Sequence, residues 1–168
     1  MSDCTPIAIT GPSRVAASVT RNVIEVPINA AAERVWRAMV EQMDQWWLPH
    51  FRMAPSSKRV VLEARVGGRW YEASGKGGDG GDDAGILWGN VVSLDPPNSL
   101  TLRGEVAPPW GASVFMLVLE IVAAPVGSGC TLRTIHMEIG DVSDKQAQSM
   151  HDGWTELLRD GLKKFCEA

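Results

Sequence analysis

The order of patterns along this 168-residue chain predicts an α+β fold: a curved antiparallel sheet of about seven strands wrapped around one long C-terminal helix, with two short helices after the first strand. Three observations carry that expectation. A strand-period segment opens the ordered part, six runs rich in β-branched and aromatic residues follow a short helical stretch, and the last segment has an apolar stripe at helical spacing. No helical segment long enough for a crossover separates the six runs, so consecutive strands are expected to pair antiparallel.

Residues 1–20 are rich in Ser, Thr, Ala and Pro without a sustained period, and read as a loosely held arm ahead of one domain over 21–168. In RNVIEVPI, Ile24, Val26 and Ile28 alternate with Glu25 and Pro27, the proline marking an edge or a strand end. Asn29 stands where a helix N-cap is expected, and Val35, Trp36 and Met39 then recur at helical spacing. A second short helix over 43–47 must end before Pro49. Strands follow in KRVVLEA, GRWYEA, ILWGNVVSLDPP, SLTLRGEV, SVFMLVLEIVAA and CTLRTIHMEI, separated by Gly, Pro and Asn. Ser143 caps the last helix, where Met150, Trp154, Leu157, Leu158, Gly161, Leu162 and Phe165 share one side and Asp152, Glu156, Arg159 and Lys163 the other. A sheet curved around that helix leaves a hollow wherever side chains do not fill the curvature, which is the geometry a small-molecule cavity needs.

Composition excludes several function classes. With 16 basic and 20 acidic residues the net charge is −4, and no Lys/Arg cluster appears, so nucleic acid is not an expected partner. Cys4, Cys130 and Cys166 are odd in number and scattered, which indicates neither a disulfide framework nor a metal site. The N-terminus lacks the pattern of a signal peptide, and the most apolar run, 114–119, is too short to span a bilayer. No membrane association and a cytoplasmic location are the expectation. The glycine-rich 75–85 stretch lacks a G-K-[ST] ending and carries Asp79, Asp82 and Asp83, which repel phosphate; it reads as a hairpin loop. There is no G-x-S-x-G elbow and no H-E-x-x-H, hence no recognisable catalytic motif, and no cofactor fingerprint.

Several segments coincide in order: VIEVPINAAAERVWRAMVE, QWW, VGGRWYE, GNVVSLDPPNSLTL, TLRTIHMEIG and DGWTELLRDGL. Together they resemble the activator-of-heat-shock-protein-ATPase-homologue family of the START-like (polyketide cyclase, lipid-transport) superfamily, over roughly residues 22–165. The resemblance implies the helix-grip fold, with a seven-stranded sheet embracing the C-terminal helix around a hydrophobic cavity. It leaves function open, because the superfamily holds lipid carriers, cyclases, hormone receptors and co-chaperone domains. Gly67 and Gly68 resemble the family's P-G-G-type turn, with Val66 in the proline position. Gly153 and Trp154 resemble its G-W pair, in which the glycine admits close approach of another element and the tryptophan fills the sheet's hollow.

The candidate cavity lining is Trp46, Trp47, Phe51, Trp70, Glu72, Trp88, Phe115, Leu117, Met137, Trp154, Leu157 and Leu158. Side chains of neighbours on a helix diverge by about 100°. Of Trp46 and Trp47, one is therefore expected to plug the open end of the sheet, leaving the other partly exposed or at the cavity lip. If Trp70 faces inward so does Glu72; the favoured phase turns Tyr71 inward and Glu72 to solvent. Phe115, Leu117 and Leu119 are inward candidates, as are Ile135 and Met137 on the next strand. His50 sits near the lip, His136 and Glu138 share one strand face, and His151 adjoins Asp152; such pairs are more often hydrogen-bonded bystanders than acid–base catalysts. Three classes stay open: a domain binding a small hydrophobic or aromatic ligand, a cyclase- or hydrolase-type enzyme using Glu72 or His136, and a co-chaperone-like module presenting exposed tryptophans. Sheet edges and aromatics also favour a homodimer.

Overall fold

A computed structural model describes residues 11, 16–75, 84–106, 113–124 and 129–168. Seven strands form one antiparallel sheet: β1 (Ser18–Ile28), β2 (Arg59–Leu62), β3 (Arg69–Ala73), β4 (Ala84–Asp95), β5 (Ser99–Val106), β6 (Ser113–Ala123) and β7 (Cys130–Gly140), in the order β1-β7-β6-β5-β4-β3-β2. The expected α+β architecture, with six consecutive strands pairing as neighbours, is the observed one. The chain leaves β1 at one edge, passes through α1 (Ala32–Glu41), α2 (Met43–Trp46) and a 3-10 turn (Pro49–Phe51), and re-enters at the opposite edge as β2. It then meanders back until β7 pairs with β1, Ser18 opposite Gly140 and Ile28 opposite Cys130. The first strand starts at Ser18, three residues before the segment that the alternation marks. The glycine-rich 75–85 loop lies mostly outside the described residues.

The C-terminal helix runs as α3 (Asp144–Glu156), a π-helical stretch (Leu157–Lys163) and α4 (Lys164–Glu167). Its start is a full capping box: the Ser143 hydroxyl accepts from the Gln146 N–H, and the Gln146 side chain accepts from the Ser143 N–H at 2.9 Å. The wider π turn changes which residues face the sheet. Leu157, Leu158, Gly161 and Leu162 are buried, while no residue of α3 is fully buried. α3 therefore rides over the rim and the π stretch carries the packing.

α1 buries Val35 and Met39, as the spacing predicts, together with Ala38 and Val40, while Trp36 of the same predicted stripe is half-buried. Its cap is corrected by the structure. Ala31 occupies the N-cap without a side-chain bond, and Asn29 instead donates its backbone N–H to Glu167 Oε1 at 2.7 Å. That bond, Lys163 Nζ to the Pro27 carbonyl at 2.7 Å and Arg34 to the Phe165 carbonyl at 2.9 Å tie the end of the C-terminal helix to β1 and α1. Arg34 also lies 4.5 Å over the Phe165 ring. The opposite end of the helix has no comparable set of ties among the described residues.

The glycine turn before β3 is as expected. Gly67 has φ 78°, and a Cβ on Gly68 would lie 2.0 Å from the Glu63 carbonyl oxygen, so both positions need glycine.

Candidate functional site

Five tryptophans converge in the hollow between sheet and helix. Trp46 and Trp47 come from the end of α2, and both are buried, each 6% exposed, so the expected partial exposure of one is corrected. The reason is that α2 ends inside the hollow rather than at its lip: Trp47 N–H closes the last turn onto the Met43 carbonyl at 3.0 Å, and the chain turns extended there. Trp46 donates its indole N–H to the Ala38 carbonyl at 2.8 Å, clamping α2 on α1. Trp47 projects into the centre, 5.8 Å from Trp70, 6.5 Å from Trp88 and 6.5 Å from Trp154 between ring centroids.

Trp70 and Trp88 are brought together by a β-bulge. Trp70 pairs with Gly89 and Tyr71 with Leu87, which leaves Trp88 as the extra residue of β4. The two indoles stack at 5.7 Å with 27° between planes. Trp154 of α3 closes the group, 6.2 Å from Trp70. Beneath these rings Met39, Met43, Leu102, Leu132, Leu158 and Leu162 help line a residual void of about 10 Å³. That is room for about one water molecule.

Glu72 is completely buried, which overturns the solvent-facing expectation; Tyr71 is buried as well, on the opposite face of β3 under the Arg69 guanidinium at 4.4 Å. The Glu72 carboxylate accepts from the backbone N–H groups of Met53 at 2.8 Å and Ala54 at 3.0 Å. It latches the segment after the 3-10 turn onto β3 and has its oxygens engaged by that work.

The inner face of β7 is unusual. Leu132 is followed by Thr134, His136 and Glu138, all buried, so three successive inward positions are polar. Ser113 of β6 hydrogen-bonds the Glu138 carboxylate. His136 packs 5.4 Å from the Phe115 ring and 6.3 Å from Trp154. Burial pushes its imidazole below the ordinary 6.5, against the opposing pull of Glu138. The Nδ1 of His136, Oγ1 of Thr134 and the indole N–H groups of Trp47, Trp70 and Trp88 have no hydrogen-bond partner among the described residues.

The phase of β7 settles two candidates. Because Leu132, Thr134, His136 and Glu138 face inward, Ile135 and Met137 lie half-exposed on the convex face, where Met137 pairs with Met116. Met137 is therefore not a cavity residue. The apolar choice misled because three neighbouring inward positions are polar. Phe115 and Leu117 are inward and buried, and Trp70, Trp88 and Trp154 sit in the cluster as expected. Leu158 lines the void, while Leu157 is buried outside it. Phe51 stands above Gly153, where an added Cβ would lie 3.2 Å from its ring, and borders an open surface groove with Ser149, Asp152 and Glu156. His50 pairs with Glu156 at 3.0 Å in the open, and His151 stays half-exposed on α3. Thr134 and Ser113 were not singled out from sequence; the signal was available in T-x-H-x-E at strand period after an apolar Leu132.

Among the described residues no group of three His, Cys, Asp or Glu side chains is placed to hold a metal ion, and no helix is long and apolar enough to cross a membrane. Cys130 and Cys166 are free thiols whose pKa burial raises.

The family model described as Activator of Hsp90 ATPase homolog 1-like protein matches residues 29–167. No curated protein matches the chain. Solved structures share the fold. The Mll3558 protein from Rhizobium loti aligns at 18% identity and TM-score 0.64, covering 87% of this chain and 96% of its own. Protein CV1439 from Chromobacterium violaceum aligns at 18% and 0.62, covering 89% and 98%. A Thalictrum flavum norcoclaurine synthase point mutant, in complex with a transition-state analogue, aligns at 12% and 0.57, covering 91% and 97%.

Proposed function

We propose that this chain, which belongs to the Activator of Hsp90 ATPase homolog 1-like family, is a START-like binding domain for one small aromatic molecule held between the sheet and the C-terminal helix. The observation that carries the reading is the set of three buried indole N–H groups, on Trp47, Trp70 and Trp88, with no acceptor. An unpaired buried donor costs about 1–3 kcal/mol, and native cores keep few of them. Trp46 shows the alternative, since its N–H is satisfied by the Ala38 carbonyl. An aromatic ligand bearing an oxygen acceptor supplies both a partner for these donors and a face to stack on the indoles.

The residual void of about 10 Å³ is far smaller than such a molecule. Binding therefore displaces side chains, and Trp88 and Trp154, both half-buried, are the rings with an outward path. Trp46 is fixed by its hydrogen bond and stays. No described tryptophan is exposed, so nothing in these rings favours a tryptophan-presenting interaction module. A catalytic reading draws instead on His136 and Glu138, buried on one strand face.

The test is a titration of intrinsic tryptophan fluorescence with 1-naphthol and with naphthalene, beside native mass spectrometry of the purified protein. Saturable quenching, tighter for the naphthol and weakened in Trp70→Phe, is the expected result. No saturable response to either compound, together with no co-purifying mass, overturns the binding reading.

A further inference from the structure

We propose that the molecule bound here is a protonated aromatic amine whose ring carries an oxygen acceptor, the ring among the indoles and the ammonium group held beside Glu138 and His136 on the inner face of β7. This rests on the binding reading above and specifies its ligand class. Glu138 is 4% exposed and receives a hydrogen bond from Ser113, a neutral hydroxyl. Among the described residues the ion pairs of Lys and Arg go to Glu25, Asp44, Glu63, Glu120, Asp160 and Glu167, and none reaches Glu138. A hydroxyl supplies a dipole where a buried carboxylate calls for a positive charge.

The surrounding groups are acceptors as well. A neutral imidazole keeps one nitrogen lone pair, and burial holds His136 neutral, with its Nδ1 unpartnered. The Thr134 hydroxyl oxygen, fully buried two residues away on the same face, is unpartnered too. Phe115 brings a π face to within 5.4 Å of the imidazole centre, and such a face attracts a cation. A carboxylate, a lone pair, a hydroxyl and one ring thus lie on the inner face of β6 and β7, beside the indole cluster. An anion would meet a like charge there, and a neutral ligand would leave Glu138 uncompensated. Glu72, the other buried carboxylate on the inner face, already has two backbone N–H partners and does not compete.

The experiment compares three molecules of one shape by isothermal titration calorimetry: phenethylamine, 2-phenylethanol and 3-phenylpropionate. In the wild-type protein the amine is expected to bind about tenfold tighter than the alcohol, or more, with the acid weakest, as charge-assisted contacts in a dry site require. Glu138→Gln is expected to erase the preference for the amine while keeping the alcohol's affinity, and Ser113→Ala to shift it modestly. An alcohol that binds as well as the amine, or a preference that survives Glu138→Gln, overturns the proposal while 1-naphthol binding leaves the cavity reading intact. If none of the three binds and 1-naphthol fails as well, the cavity reading falls and takes this one with it. The wild-type ranking decides even where Glu138→Gln does not fold.

Discussion

Two glycines in the C-terminal helix predict opposite responses to the same substitution. Gly→Ala inside an exposed helix gains about 1 kcal/mol from backbone propensity. At Gly153 the new methyl meets the Phe51 ring edge at 3.2 Å, and that half-buried ring ends a short 3-10 turn, so it can yield a few tenths of an ångström. Gly153→Ala is therefore expected to stabilise by about 0.5–1 kcal/mol. At Gly161 the methyl would lie 2.5 Å from the Trp46 carbonyl oxygen, with Trp46 Cε3 at 3.4 Å and Leu48 at 3.6 Å. This obstacle is backbone, and the Trp46 ring is anchored to Ala38, so it does not move aside. Overpacking of this kind costs about 1–3 kcal/mol. After the propensity gain, a net loss of up to about 2 kcal/mol remains. The two variants should thus differ by about 2 kcal/mol, or about 4–8 °C in melting temperature for a chain of this size. Urea unfolding followed by circular dichroism, with the denaturant slope checked for constancy, measures it. Finding Gly161→Ala as stable as Gly153→Ala would refute the close approach of α2 to the π-helical stretch.

Two further predictions concern the buried polar groups. Glu72→Ala removes the acceptor of the Met53 and Ala54 N–H groups and empties a fully buried site; a loss of about 2–4 kcal/mol is expected, with faster proteolysis within 52–58. Unchanged melting and unchanged cleavage would show that the latch does not hold the segment. His136 has its folded pKa below the ordinary 6.5, so just below pH 6.5 the unfolded chain binds a proton the folded chain refuses. Stability should accordingly fall as pH drops through 6.5 toward the folded value, and His136→Asn should flatten that part of the curve in chemical denaturation measured against pH. Parallel curves for the two proteins would rule out a neutral buried imidazole.

The fold was legible because its signals are periodic and local. Alternation in β1, β6 and β7 and the Ser143 cap depend on near neighbours along the chain, and each reappears in the structure. What failed depended on phase or on partners far away in sequence. Asn29 has the chemistry of an N-cap, but the helix starts two residues further on, behind Ala31, and Asn29 is tied to Glu167 instead. In β7 the apolar residues Ile135 and Met137 argue for one phase and the pairing with β1 and β6 enforces the other. The stripe on the last helix was drawn for 3.6 residues per turn, and the π stretch broke that spacing, so Met150 and Trp154 sit at the rim while Leu157 to Leu162 are buried. Glu72 could be placed only once the backbone of Met53 and Ala54 was seen beside it.

The tryptophans show why counting aromatic residues does not separate a core from a binding site. Trp46 and Trp47 are adjacent, equally buried and 5.6 Å apart, and differ in one respect: one indole N–H has an acceptor and the other has none. A ring that only fills space gains from satisfying its polar atom within the protein, since nothing else arrives to do so. Trp46 follows that logic, on a helix pair that Gly161 lets the C-terminal helix approach. Trp47, Trp70 and Trp88 depart from it together, in mutual contact, beside a strand whose inward Thr134 and His136 depart from it too. These five polar groups lie about the hollow, at the end where α3 crosses the rim with no fully buried residue. The partner these groups lack is therefore the first thing to look for.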